Sequence, residues 1–137
     1  MNNINIWSLI ITTLICFSLS SLWYSPYLFG KEWMELRKIG DQDLDWLTKN
    51  GLSWRYLAIL LSNLVMFSVL AFILTEAGTV SAQEGAFFGS LVWLGFIIPS
   101  ALSGLVWRRE PFKLFLIETI GYLVNLAIGG GILGWWR

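Results

Sequence analysis

The chain has 137 residues, of which 56% are hydrophobic and 13% are charged, whereas soluble domains carry about 25% charged residues. Nine basic residues balance nine acidic ones, so the composition gives no reason to expect a nucleic acid as partner. Histidine is absent and Cys16 is the single cysteine. The commonest metal ligand and general base is therefore missing, and no disulfide can form within the chain.

Four long apolar stretches dominate the chain, at about 4–23, 56–74, 86–107 and 114–134. Each is long enough for a helix that crosses a bilayer, which takes about 20 residues. None has the polar face at helical period that a buried helix of a soluble domain would need. The sequence therefore predicts an all-α integral membrane four-helix bundle that forms a single membrane domain, residues 1–137.

The first loop, at about 24–55, is predicted to contain one or two short interfacial helices. Trp33, Leu36 and Ile39 recur at threefold spacing, with charged residues between them. This pattern is typical of an amphipathic helix that lies on the membrane surface. A second short helix is expected to begin at Asp41, because aspartate is a good N-terminal cap.

The basic residues predict the orientation of the spans. Eight of the nine Lys and Arg residues lie in the first loop and in the connection 108–113, and only Arg137 lies elsewhere. Cytoplasmic loops of membrane proteins carry the excess of Lys and Arg. Both basic segments are therefore predicted to be cytoplasmic, with both termini outside the cytoplasm and the lipid bilayer around the four spans.

Small residues four positions apart predict close contacts between helices, because they let two backbones approach in lipid. Such contacts can form within one chain or between protomers, and on this basis we expect a homo-oligomer. The predicted packing residues are Gly85, Gly89, Ser100, Gly104, Gly130 and Gly134.

Glu118 is the polar residue that points most clearly to function, because an ionisable group inside a membrane span is costly and usually faces a functional interior. It follows Pro111 by seven residues, which places it about 10 Å along a helix from the cytoplasmic face. Asn63 lies at a similar depth on the second stretch, at about 12 Å. The members of this candidate intramembrane polar site are Glu118, Asn63, Ser100, Tyr122 and Asn125.

Three interpretations of this site stay open. In the first, the polar groups form interhelical hydrogen bonds worth about 1 kcal/mol each, and a largely neutral Glu118 pairs with Asn63. In the second, Glu118 is a proton- or cation-responsive site. In the third, the Glu118 side chain extends to the cytoplasmic interface.

Three sequence blocks carry a resemblance to a known family. They are LWYSPYLFGKEWM at 22–34, WLGF at 93–96, and LFLI at 114–117, which leads to Gly-Tyr at 121–122. In this order and spacing they resemble the bacterial four-span membrane family catalogued as domain of unknown function 1761. The resemblance covers nearly the whole chain, and its first block is the most specific. It implies four spans in a bacterial inner membrane, and it brings no assigned activity. Members often have His after the Gly-Tyr, where this chain has Leu123.

The sequence therefore predicts a small multi-pass membrane protein that is a non-catalytic, self-associating module. It contains no catalytic constellation and no metal or cofactor motif; Gly-Gly-Gly at 129–131 lacks the Lys-Ser/Thr of a phosphate-binding loop. The alternative is a small oligomeric channel or transporter with its responsive site at Glu118. That alternative requires an oligomer, because four packed helices leave little room for a pore. A protein partner is not identified.

Overall fold

Seven α-helices make up the computed structural model, which describes residues 4–136. A π-helical segment, Trp93–Ile97, joins the fifth and sixth helices into one continuous rod. No strand occurs anywhere in the described range. The helices are α1 Ile6–Trp23, α2 Gly30–Leu36, α3 Asp41–Lys49, α4 Leu52–Glu76, α5 Ala82–Val92, α6 Ile98–Trp107 and α7 Phe112–Trp135.

Four helical rods are long and apolar enough to cross a membrane: α1, α4, the joined α5–α6 and α7. The predicted all-α fold, with four spans and two short helices in the first loop, is confirmed. The second span begins at Leu52, earlier than its apolar stretch, because Gly51 at φ 85° ends the preceding turn and glycine adopts that conformation readily. Arg137, the basic residue assigned to the outer side, lies outside the described residues.

The two basic segments meet at the same end of the bundle. Lys113 Nζ, in the first turn of α7, lies 2.8 Å from Glu32 Oε2 of α2. We call this end, formed by residues 24–51 and 108–111, the loop end. The basic residues from which the orientation was predicted are therefore grouped at one end of the folded chain.

Helix α7 is the most buried of the four rods and contacts each of the other three. The apolar core lies beside it, toward the end opposite the loop end. Its members come from α1, α4 and α7: Leu9, Cys16, Phe67, Leu70, Ala71, Leu74, Leu126 and Leu133.

Glycines form the contact between α5 and α7, which we call the glycine seam. A Cβ atom built on Gly85 would overlap the carbonyl oxygen of Gly130, and one built on Gly89 would overlap that of Leu126. A Cβ atom on Gly134 would come within 3.0 Å of the Gly85 Cα. Both glycine pairs on these helices therefore lie in a contact within one chain, where the backbones approach too closely for any side chain.

The third predicted pair lies elsewhere. Ser100 is exposed, and its hydroxyl donates to the Phe96 carbonyl at 2.7 Å. Gly104 is buried against the Glu110 side chain in the turn before α7, rather than against another helix. Pro99 lies in the first turn of α6, where it has no N–H to donate and its ring crowds the preceding turn. The adjoining π-helical segment changes which residues of α6 face α7.

Candidate functional site

A cleft of about 720 Å³ lies between α1, α4 and α7 at the loop end, with α2 at its mouth. Pockets that bind small molecules have volumes of roughly 300–1,000 Å³. Apolar side chains such as Phe17, Ile59 and Val124 form much of its wall. Its main polar side chains are Ser20, Arg37, Ser62, Asn63, Glu118 and Asn125.

The mouth of the cleft is formed by an ion-pair network. Glu118 Oε1 accepts from Trp33 Nε1 at 3.0 Å, from Arg37 Nε at 3.0 Å and from Arg37 Nη2. Arg37 Nη1 donates to Glu110 Oε1 at 3.1 Å, and Arg108 Nε reaches the same oxygen at 3.1 Å. Two positive charges thus balance two negative charges.

The pKa of Arg37 is raised above its ordinary value, chiefly because the guanidinium donates to the Glu118 carboxylate, and despite the opposing effect of burial. Arginine is charged at any physiological pH even without such a partner. The network therefore holds a permanent cation at the C-terminal end of α2 against the carboxylate on α7.

An aromatic group surrounds this ion pair. The rings of Tyr24 and Trp33 pack edge to face, with centroids 5.3 Å apart, and Tyr24 lines the cleft. The pKa of Tyr24 is raised, mainly by burial and also by the negative charge of Glu118. The phenol therefore stays neutral and can donate or accept a hydrogen bond.

The predicted pairing of Glu118 with Asn63 is not what the structure shows. Asn63 lines the same cleft, but the partner of Glu118 is Arg37. The indole of Trp23, the last residue of α1, donates to the Ile117 carbonyl at 3.0 Å, so α1 ends beside the second turn of α7. The chain then turns back, and α2 occupies the level of Glu118. The expected partner of Glu118 was the amide of Asn63, and the structure supplies the guanidinium of Arg37 instead.

The deep end of the cleft is formed by Asn125, which is 8% exposed. Its Nδ2 donates to Ser20 Oγ on α1. Its Oδ1 is buried and has no hydrogen-bond partner among residues 4–136. A buried acceptor without a partner costs about 1–3 kcal/mol, so this atom is an exception that calls for an explanation.

Of the five predicted polar-site residues, the cleft brings four together: Glu118, Asn63, Tyr122 and Asn125. Ser100 does not belong to it, since it lies on the exposed face of the α5–α6 rod. Sequence reasoning missed Arg37, Trp33 and Ser20. The available signal was the spacing of Trp33 and Arg37, which lie four residues apart and therefore share a face of α2.

The described residues include no group of three or more His, Cys, Asp or Glu side chains placed to hold a metal ion. The carboxylates nearest the cleft, Glu110 and Glu118, both have guanidinium partners. The arrangement can therefore form hydrogen bonds with a molecule in the cleft and tie α2 to α7.

Comparison with known proteins gives a family match. The sequence model of the family described as "Protein of unknown function (DUF1761)" matches residues 7–134, nearly the whole chain. No curated protein and no solved structure matches. The resemblance carried by the three sequence blocks is thereby confirmed, and the four long apolar helices agree with a four-span family. This chain belongs to the DUF1761 family.

Proposed function

We propose that this protein is a non-catalytic membrane module that binds one small molecule in the cleft between α1, α4 and α7. The observation that carries the proposal is the deep end of the cleft, where the buried Asn125 has an unpartnered side-chain oxygen within the described chain. A mostly apolar wall with a few convergent polar groups is the usual composition of a ligand pocket.

A binding site fits this geometry better than a pore through one chain. Beyond Asn125, toward the opposite end, the space between the helices is filled by Cys16, Phe67 and Leu126, whose side chains are fully buried. The cleft is therefore blind. A channel would have to form between protomers, and the glycine seam offers no interface for it because its glycines face one another within one chain. Self-association remains a prediction.

A non-catalytic role is supported by the chemistry at the mouth. Catalysis by a nucleophile needs a base within hydrogen-bond reach that is free to take a proton. Glu118 is held as a carboxylate partner of the Arg37 guanidinium, and the chain has no histidine. The ion pair is therefore better suited to positioning α2 than to moving protons.

Photolabelling tests the binding function. The probe is a medium-chain aliphatic alcohol that carries a diazirine, and labelled peptides are mapped by mass spectrometry. We expect label on the cleft residues Asn63 and Val124. Ser62→Trp should remove most of it, because the indole fills the cleft. The matched control is Leu61→Trp, on the neighbouring position that is 52% exposed and does not line the cleft; its labelling should equal that of the wild type. Equal labelling of all three proteins, or label confined to lipid-facing positions, would rule the function out.

We also propose that the loop end faces the cytoplasm in a bacterial inner membrane. The support is the excess of Lys and Arg in residues 24–55 and 108–113. In a Cys16→Ser background, Asp45→Cys should be protected from a membrane-impermeant maleimide in intact cells, and Val80→Cys should react. Both positions are exposed in the folded chain, so solvent access is matched. The reverse labelling pattern would overturn the orientation.

A further inference from the structure

We propose that the molecule bound in the cleft is a neutral amphiphile that carries a hydroxyl group, and that this hydroxyl donates its hydrogen bond to Asn125. This inference rests on the proposed function and specifies its ligand class.

The Asn125 amide indicates that the ligand is a hydrogen-bond donor. The amide nitrogen donates hydrogen bonds, whereas the amide oxygen accepts them. The nitrogen already has a partner in Ser20 Oγ, whereas Oδ1 has none among residues 4–136. Neighbouring atoms cover Oδ1, but the last torsion of an asparagine side chain is broad. Because Asn125 lines the cleft, rotation about that torsion is the movement by which the oxygen would reach a donor there.

The second unpartnered acceptor lies on the same face of α7. All three donors to Glu118 reach Oε1, and no hydrogen bond to Oε2 occurs within the described chain. Glu118 precedes Asn125 by seven residues, so the two acceptors are about 10 Å apart along the helix. Ser62, Asn63 and Tyr122 also line the cleft, and each carries both a donor and an acceptor, so they do not select between ligand classes.

The choice of a neutral ligand follows from the charges. Arg37 and Arg108 balance Glu110 and Glu118 at the mouth, so the network attracts neither a cation nor an anion strongly. Within the described chain, the side chains that hydrogen-bond to Asn125 are those of Cys16 and Ser20, which are uncharged. A charge placed there would therefore lose its hydration without compensation. An alcohol makes the required hydrogen bond without that loss. Its apolar part then contacts Phe17, Ile59 and Val124, which line the same cleft.

The test compares the diazirine alcohol with its methyl ether, in which a methyl group replaces the hydroxyl hydrogen and removes the donor, at equal measured concentrations in the membrane. Wild-type protein should be labelled in the cleft about fivefold more by the alcohol, the factor expected for one neutral hydrogen bond. Asn125→Leu should remove this preference. Ser20→Ala is the matched control, because it breaks the Asn125–Ser20 hydrogen bond and keeps the acceptor; its preference for the alcohol should persist.

Equal labelling by the two probes in the wild type, or a preference for the ether, would overturn the ligand class, whether or not Asn125→Leu folds. Persistence of the preference in a folded Asn125→Leu protein would overturn the role of Asn125. If both probes label equally and Ser62→Trp blocks both, the binding function stands and only its ligand class fails. If neither probe labels the cleft of the wild type, both proposals fail.

Discussion

Gly89→Leu is expected to lower the free energy of unfolding by about 3 kcal/mol or more, because a bulky side chain forces apart two helices that touch through their backbones. A single Cβ atom at this position would already overlap the Leu126 carbonyl oxygen. Unfolding in mixed micelles with increasing SDS, followed by circular dichroism, measures the loss. Gly130→Leu should act similarly from the α7 side, where the Cβ atom would overlap the Gly85 carbonyl oxygen.

Gly95→Leu is the control for this experiment. Gly95 belongs to the same rod, in the π-helical segment, and a Cβ atom there would have no atom within 4 Å. Both replacements also remove a helical glycine, so much of any gain in helix propensity cancels between them. If Gly89→Leu and Gly95→Leu proteins unfold at the same SDS fraction, the glycine seam does not hold α5 against α7.

Glu118→Leu is expected to lower the free energy of unfolding by about 1–2 kcal/mol, because it leaves the Trp33 indole and part of the Arg37 guanidinium without an acceptor. The loss is kept below that of a deeply buried ion pair by solvent, since the side chains of Arg37 and Glu118 are 32% and 25% exposed. The free energy of unfolding of Glu118→Gln should lie between those of Glu118→Leu and the wild type, because the amide oxygen still accepts hydrogen bonds but carries no charge.

A double-mutant cycle separates the ion pair from other effects of the same changes. The double variant Arg37→Leu/Glu118→Leu should lose less than the sum of the two single variants, because each single change removes the same interaction. Lys113→Gln is the comparison, because Lys113 pairs with Glu32 and their side chains are 63% and 48% exposed. This change should alter the free energy of unfolding little. Strict additivity of the Arg37 and Glu118 variants would show that their contact does not stabilise the fold.

The four spans and the glycine contacts could be predicted because they depend on local properties. Hydropathy over about 20 residues determines a span, and four-residue spacing determines which small residues share a helix face. Gly85, Gly89, Gly130 and Gly134 obey that rule because α5 and α7 are regular where they meet. Ser100 and Gly104 keep the same spacing, but both follow the π-helical segment, whose i→i+5 hydrogen bonds shift their face relative to the glycine seam.

The partner of Glu118 could not be predicted because it depends on where other segments end. Counting residues from Pro111 and Arg55 placed Glu118 and Asn63 at one depth, on the assumption that the chain leaves the bundle at a common plane. Helix α1 instead ends at Trp23 beside Ile117, and backbone hydrogen bonds such as Phe29 N to Trp23 O, at 3.1 Å, fold the loop back. An amphipathic pattern also places arginine toward water, and only the four-residue spacing of Trp33 and Arg37 indicates that the two side chains point the same way.

The cleft is where the first and last long helices, α1 and α7, are held together. Its hydrogen bond from Asn125 to Ser20 connects residues 105 positions apart, and that from Trp23 to Ile117 connects residues 94 positions apart. The entropy lost in closing a loop grows with the length of the loop, so these contacts lose more entropy when they form than contacts between nearby residues do. A molecule held between α1 and α7 would offset that loss by an amount that grows with the logarithm of its concentration relative to its Kd. On the proposed function, the availability of the ligand would thus be coupled to the attachment of the first helix.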